Sequence, residues 1–116
     1  MGKNVDTSRL QTLKELTSKT TPHLIADLFR LFVKESPEDF KSLREAIANS
    51  QWAEATRIAH SVKSSAANLG ANQMARFCEN IEKNIQSPQV PVWLEHTEKE
   101  FTMAVQEIQE YLNTQK

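Results

Sequence analysis

The stretch Ile58-Ala59-His60-Ser61-Val62-Lys63-Ser64-Ser65-Ala66-Ala67-Asn68-Leu69-Gly70-Ala71 combines one imidazole, one ammonium and many small side chains. An α-helix advances about 100° per residue, so positions three, four and seven apart share a face. From Trp52 onward, Trp52, Ala55, Ala59, Val62, Ala66 and Leu69 fall at alternating spacings of three and four. They form one apolar stripe, the buried seam of an amphipathic helix. His60 lies roughly 125° from the centre of that stripe by the same angular count, so its ring is expected to be partly exposed.

The helical neighbours of His60 are Ala53, Thr56, Lys63, Ser64 and Ala67. All but Lys63 are small. An ordinary solvated face carries long polar side chains, as Glu79, Glu82 and Lys83 do further on. Small side chains around an exposed ring leave room for another macromolecule, so Ser64, Ala67, Thr56 and Ala53 are read as partner-approach positions. His23 and His96 lack such surroundings and read as ordinary surface residues.

A neutral imidazole nitrogen is a good nucleophile near neutral pH and can carry a phosphoryl group covalently. Phosphoryl transfer asks mainly for alignment and for positive charge near the equatorial oxygens. Lys63, one turn on, can supply that charge from the same helix. The helix N-terminus lies too far away to do so.

Residues 59–71 resemble the signature of histidine-containing phosphotransfer (HPt) domains of bacterial phosphorelays, which runs roughly A-H-x-L-K-G-S-S-x-x-L-G-A. Ala59, His60, Lys63, Ser65, Leu69, Gly70 and Ala71 stand at the matching offsets. Residues 74–82 resemble the family's next helix, and the helix layout is similar from about Val5 to Tyr111. The resemblance implies that His60 accepts the phosphoryl group and that Lys63 stabilises it. Ser64 departs from the usual glycine, and Val62 from the usual leucine.

The chain has no Gly-rich phosphate loop and no Asp cluster of the receiver-domain kind, so it is expected to hold neither nucleotide nor metal of its own. The Glu-x-x-His pairs of di-iron bundles are also missing. The phosphoryl group would then come from a partner, an aspartyl-phosphate receiver domain that brings its own Mg²⁺. The expected partners are the receiver domain of a hybrid sensor kinase and a response regulator. In this reading the protein is a phosphoryl carrier, not an enzyme. The competing reading is a helical adaptor that binds receiver domains through the same face without carrying phosphate.

With 116 residues, one domain is expected, long enough for a real core. Two glycines, four prolines and abundant Ala, Leu, Glu, Lys and Gln favour an all-α fold. Fourteen basic residues against fifteen acidic give no support to nucleic-acid binding. Cys78 stands alone, excluding an internal disulfide, and reads as a small buried hydrophobe. No stretch reads as secretory or membrane-spanning, so a cytoplasmic monomer is expected. The initial Met and short tails favour a freestanding protein.

In chain order, residues 5–18 read as a short helix with Leu10, Leu13 and Leu16 inward. Thr20-Thr21-Pro22 reads as the start of a helix over 22–49. Its apolar positions are Ile25, Leu28, Phe32, Phe40, Leu43 and Ile47. Their phase is kept across Pro37, which argues for one kinked helix against a new start at Ser36-Pro37-Glu38. Asn49 or Ser50 is expected to cap the histidine helix, 51–69, and Gly70 to end it. A helix over 71–86 buries Met74, Phe77, Cys78, Ile81 and Ile85. A loop at 87–91 follows, then a helix over 92–113 with Leu94, Phe101, Val105, Ile108 and Leu112 inward. Trp52 and Trp93 are expected to cover bundle ends.

Short connections make antiparallel neighbours, hence an up-down-up-down antiparallel four-helix bundle with a short additional N-terminal helix. Periodicity alone reaches a helical bundle, and the resemblance implies this architecture. A docking surface is expected to add Leu13, Leu16, Ile25 and Phe29 to the His60 face.

Overall fold

Helix-forming composition resolves into five helices: α1 Thr7–Thr17, α2 Leu24–Ala48, α3 Trp52–Asn68, α4 Asn72–Lys83 and α5 Val90–Thr114. The structure, a computed structural model, describes residues 5–17 and 23–114, and no strand occurs among them. The side chains of Leu16 and Thr17 fall outside the described set, as do Ser18 and the expected helix start at Thr20–Pro22. α2 begins at Leu24, two residues later than the sequence suggests, with His23 as its N-cap.

Both reversals that bound α3 use the same hydrogen-bond pattern. At the end of α2 the Gln51 N–H bonds the Ala46 carbonyl at 2.8 Å and the Ser50 N–H bonds that of Ile47 at 3.1 Å. At the end of α3 the Ala71 N–H bonds Ala66 at 2.8 Å and the Gly70 N–H bonds Ala67 at 3.1 Å. This paired closure requires a left-handed residue. Ser50 supplies it at φ 55°, Gly70 at φ 76°. Ser50 therefore closes α2 and does not cap α3, whose N-cap is Gln51 without a side-chain bond. Asn49 is likewise the C-cap of α2.

Gly70 is required twice over. Its carbonyl accepts the Asp6 N–H at 2.6 Å, so the chain entering α1 lies directly on it. A Cβ there would overlap the Asp6 carbonyl oxygen and crowd the Arg9 Cβ. Midway along α1 the Tyr111 hydroxyl donates to Gln11 at 3.0 Å.

The expected stripe of α3 is the core: Ala55, Ala59, Val62, Ala66 and Leu69 are buried, with Ile58 beside them. α3 packs against α2 and α4, α4 against α5, and α2 also against α5 and α1. Phe101 of α5 lies between Phe32 and Phe40 of α2, ring centroids 5.1 and 5.5 Å away. Such tilted and edge-on contacts add to what area burial alone supplies. Pro37 lies inside α2, one continuous helix, so the kept phase decides correctly against a new start. Val90 and Pro91, expected in the loop, open α5, where the missing N–H of proline costs no helical bond. α4 ends at Lys83, short of Gln86.

One inward assignment and two docking assignments need correction. Phe77 is half-buried and stacks on His96, centroids 5.1 Å apart. Ile25 and Phe29, expected to help form a docking surface, are buried in the core. The exposed apolar residues of α2 are Leu31 and Val33 instead. Leu13 is half-buried against the core.

Candidate functional site

α3 turns its seam into the core, and that orientation alone decides where His60 points. The side chain is 59% exposed. Around it, Ala53, Ser64 and Ala67 are exposed and Thr56 is half-buried. The Thr56 hydroxyl is turned back to the Trp52 carbonyl at 2.8 Å, so it presents a methyl-bearing, hydrogen-bonded side chain. The ring thus stands in a field of short side chains on an open surface.

From α4 comes a residue that the sequence reading placed on an ordinary solvated face. Glu82 reaches back to α3 and divides its carboxylate between two partners. Oε2 lies 2.9 Å from His60 Nδ1, and Oε1 lies 2.7 Å from Lys63 Nζ. The Glu82 side chain is only 22% exposed, below the ring it contacts. Lys63 is covered to about the same degree, its side chain 26% exposed, because its ammonium is drawn to Glu82.

Each charge holds the other. The hydrogen bond from Lys63 is the main cause that keeps the Glu82 carboxyl below its usual range, with burial opposing and His60 assisting. The same contact pushes the Lys63 ammonium up. An ionised carboxylate only accepts hydrogen bonds, so the ring nitrogen facing it must be the one that carries hydrogen. In the neutral ring Nδ1 therefore donates to Glu82, and the lone pair resides on Nε2. Among the described residues no group bonds Nε2.

His23 and His96 stand elsewhere. His23 caps α2, and His96 lies on α5 against Phe77. Cys78, one turn before Glu82, is buried, and burial pushes its thiol up to about 12, which rules it out as a nucleophile near neutral pH. Among the described residues no group of three or more His, Cys, Asp or Glu side chains could hold a metal ion. No described helix is long and apolar enough to cross a membrane.

The larger grooves lie away from the ring. One, between α1 and α5, is lined by Gln11, Glu15, Glu107 and Tyr111, and another, between α2 and α5, by Phe29, Arg30, Lys34 and Leu112. Small-molecule sites enclose their ligands in concave pockets. An imidazole on a convex helix face suits a partner that brings the rest of the reaction chamber with it.

The family model described as the Hpt domain matches residues 27–113. No curated protein matches the chain. Among solved structures, the crystal structure of histidine-containing phosphotransfer protein B (HptB) from Pseudomonas aeruginosa PAO1 superimposes with a TM-score of 0.82 at 24% identity. The match covers 96% of each chain. At that identity the likeness is one of fold.

Proposed function

The chain belongs to the Hpt domain family, whose members carry out histidine phosphotransfer in phosphorelay signalling, and from that premise we propose that His60 is its phosphoacceptor. One observation carries the assignment. The ring is exposed, its Nδ1 is engaged by Glu82, and among the described residues nothing bonds its Nε2.

In the proposed reaction the Nε2 lone pair attacks the phosphorus of an aspartyl phosphate on a receiver domain. The N–P bond forms as the P–O bond breaks, and the aspartate leaves as carboxylate. The reverse step hands the group to a second receiver. The receiver supplies Mg²⁺ and most of the charge stabilisation, so this protein acts as carrier and not as enzyme. Lys63 contributes an ammonium near the equatorial oxygens. It has three N–H donors and engages Glu82, so others can turn to the phosphoryl group. Ala53, Thr56, Ser64 and Ala67 give the receiver room to close over the ring.

In the same reading α2 to α5 form the up-down-up-down antiparallel bundle, with α1 packed at one end. The partners are the receiver domain of a hybrid sensor kinase and that of a response regulator. The carrier works as a cytoplasmic monomer.

The test is incubation with a receiver domain phosphorylated on its aspartate with labelled phosphate. Acid-labile label should appear on the wild type and not on His60→Gln. Receiver binding without any label on the wild type would replace this reading with that of a non-phosphorylated adaptor.

A further inference from the structure

Ala26, Phe29, Val33, Pro37 and Phe40 recur along α2 at spacings of three and four, and all of them line grooves on the edge where α2 meets α5. Two grooves follow one another there. The first, of about 890 Å³, lies between Phe29 and Val33 of α2 and Leu112 of α5. The second, of about 330 Å³, lies over Phe40 and Phe101.

A cation stands directly after three of these apolar residues. Arg30, Lys34 and Lys41 follow Phe29, Val33 and Phe40, which places the positive charges together along one rim. Arg30 is bonded to Asp27, and Arg44, on the same rim, to Glu98. Lys34 and Lys41 are exposed and have no ion-pair partner among the described residues.

We infer that this edge docks a helix of a partner protein, one whose apolar stripe is flanked by carboxylates seven residues apart. A helix fits a furrow between two others by setting a ridge of side chains into it. Lys34 and Lys41 are separated by about 10.5 Å along the α2 axis, and carboxylates at the same interval on a helix lying alongside can meet both. The floor from Ala26 to Phe40 runs about 21 Å, or roughly four turns of such a helix. Val33, 39% exposed, is the apolar side chain that docking would cover most. A bilayer surface is broad and flat, and a floor recessed between two helices stays out of its reach.

No residue of α3 or α4 lines either groove. His60 and Lys63 therefore stay open while the edge is occupied. A partner bound there holds the carrier in place without competing with a receiver.

The probe is a fluorescein-labelled peptide of about 18 residues, roughly five helical turns, built from leucine, alanine and glutamate. Its leucines recur at spacings of three and four, and two glutamates beside them stand seven apart. Binding to the full chain is read by fluorescence anisotropy. Saturable binding is expected, weakened by added salt and weakened about tenfold in the double variant Lys34→Glu, Lys41→Glu. Both positions are exposed, so circular dichroism of that variant should match wild type. Labelling of His60 by a phosphorylated receiver should proceed unchanged with the peptide bound.

Absence of binding, or equal affinity in the double variant, overturns the inference. A bound peptide that blocks labelling overturns it too, since the occupied face would then be that of His60. Sedimentation of the chain alone tests a second copy as occupant, and a dimer dissolved by Val33→Asp would give the edge to self-association instead. Peptide binding is read without any phosphoryl group, so failure of labelling in the absence of peptide would bear on the phosphoacceptor assignment alone.

Discussion

The two faces of α3 are built from similar small residues for opposite reasons. On the inward face, Ala55, Ala59 and Ala66 are buried, and their size lets neighbouring helices approach closely. On the outward face, Ala53, Ser64 and Ala67 are exposed, and their size leaves the approach to His60 open. Composition cannot distinguish these uses. Only the phase of the helix does, and phase is fixed by the seam. A substitution on the inward face should therefore change stability, and one on the outward face should change transfer.

His60→Gln is the most severe test of the division. Labelling by a phosphorylated receiver should vanish, while the thermal midpoint stays within a degree or two, since the ring is mostly exposed. A large fall in melting temperature would show that the outward face is structural after all. Gly70→Ala tests the other side, at the end of the seam. The left-handed backbone and the overlap with Asp6 together should cost about 2–3 kcal/mol. In a chain of this size that is a loss on the order of 10 °C in thermal scans. Labelling of the molecules that remain folded should persist.

Lys63→Ala comes next. Removing one cation from a site open to water should slow transfer about tenfold, less than loss of a donor in a closed active site. Its helical signal should be unchanged. His96→Gln completes the series as the smallest effect. The ring is exposed and stacks on Phe77, so transfer should be unaltered and stability should change by less than about 1 kcal/mol. Loss of transfer in that variant would extend the site to α5.

The seam, the exposure of His60 and the closing role of Gly70 were all legible in the sequence, because each depends on local spacing. Glu82 was not. It is 22 residues from His60 in the chain, and only the packing of α4 on α3 brings the two together. A faint signal existed: Glu82 is one turn after buried Cys78 and adjacent to buried Ile81, which puts a carboxylate at the margin of an apolar face. The assignment of Asn49 and Ser50 to the wrong helix has a different cause. Asn and Ser serve both as N-caps and as left-handed closers, so residue type announced a reversal without saying which helix it belonged to. Ile25 and Phe29 were misplaced because an apolar residue near a functional helix looks the same whether a partner or the protein's own core covers it.

The burial of Cys78 gives the molecule a built-in clock. Its thiol is sealed and held in its protonated form, and α4 carries it one turn before Glu82. An alkylating reagent can therefore reach the sulfur only when that segment lifts away from its neighbours. The speed of modification counts those excursions, and so measures how steadily the helix presents its carboxylate to the imidazole above.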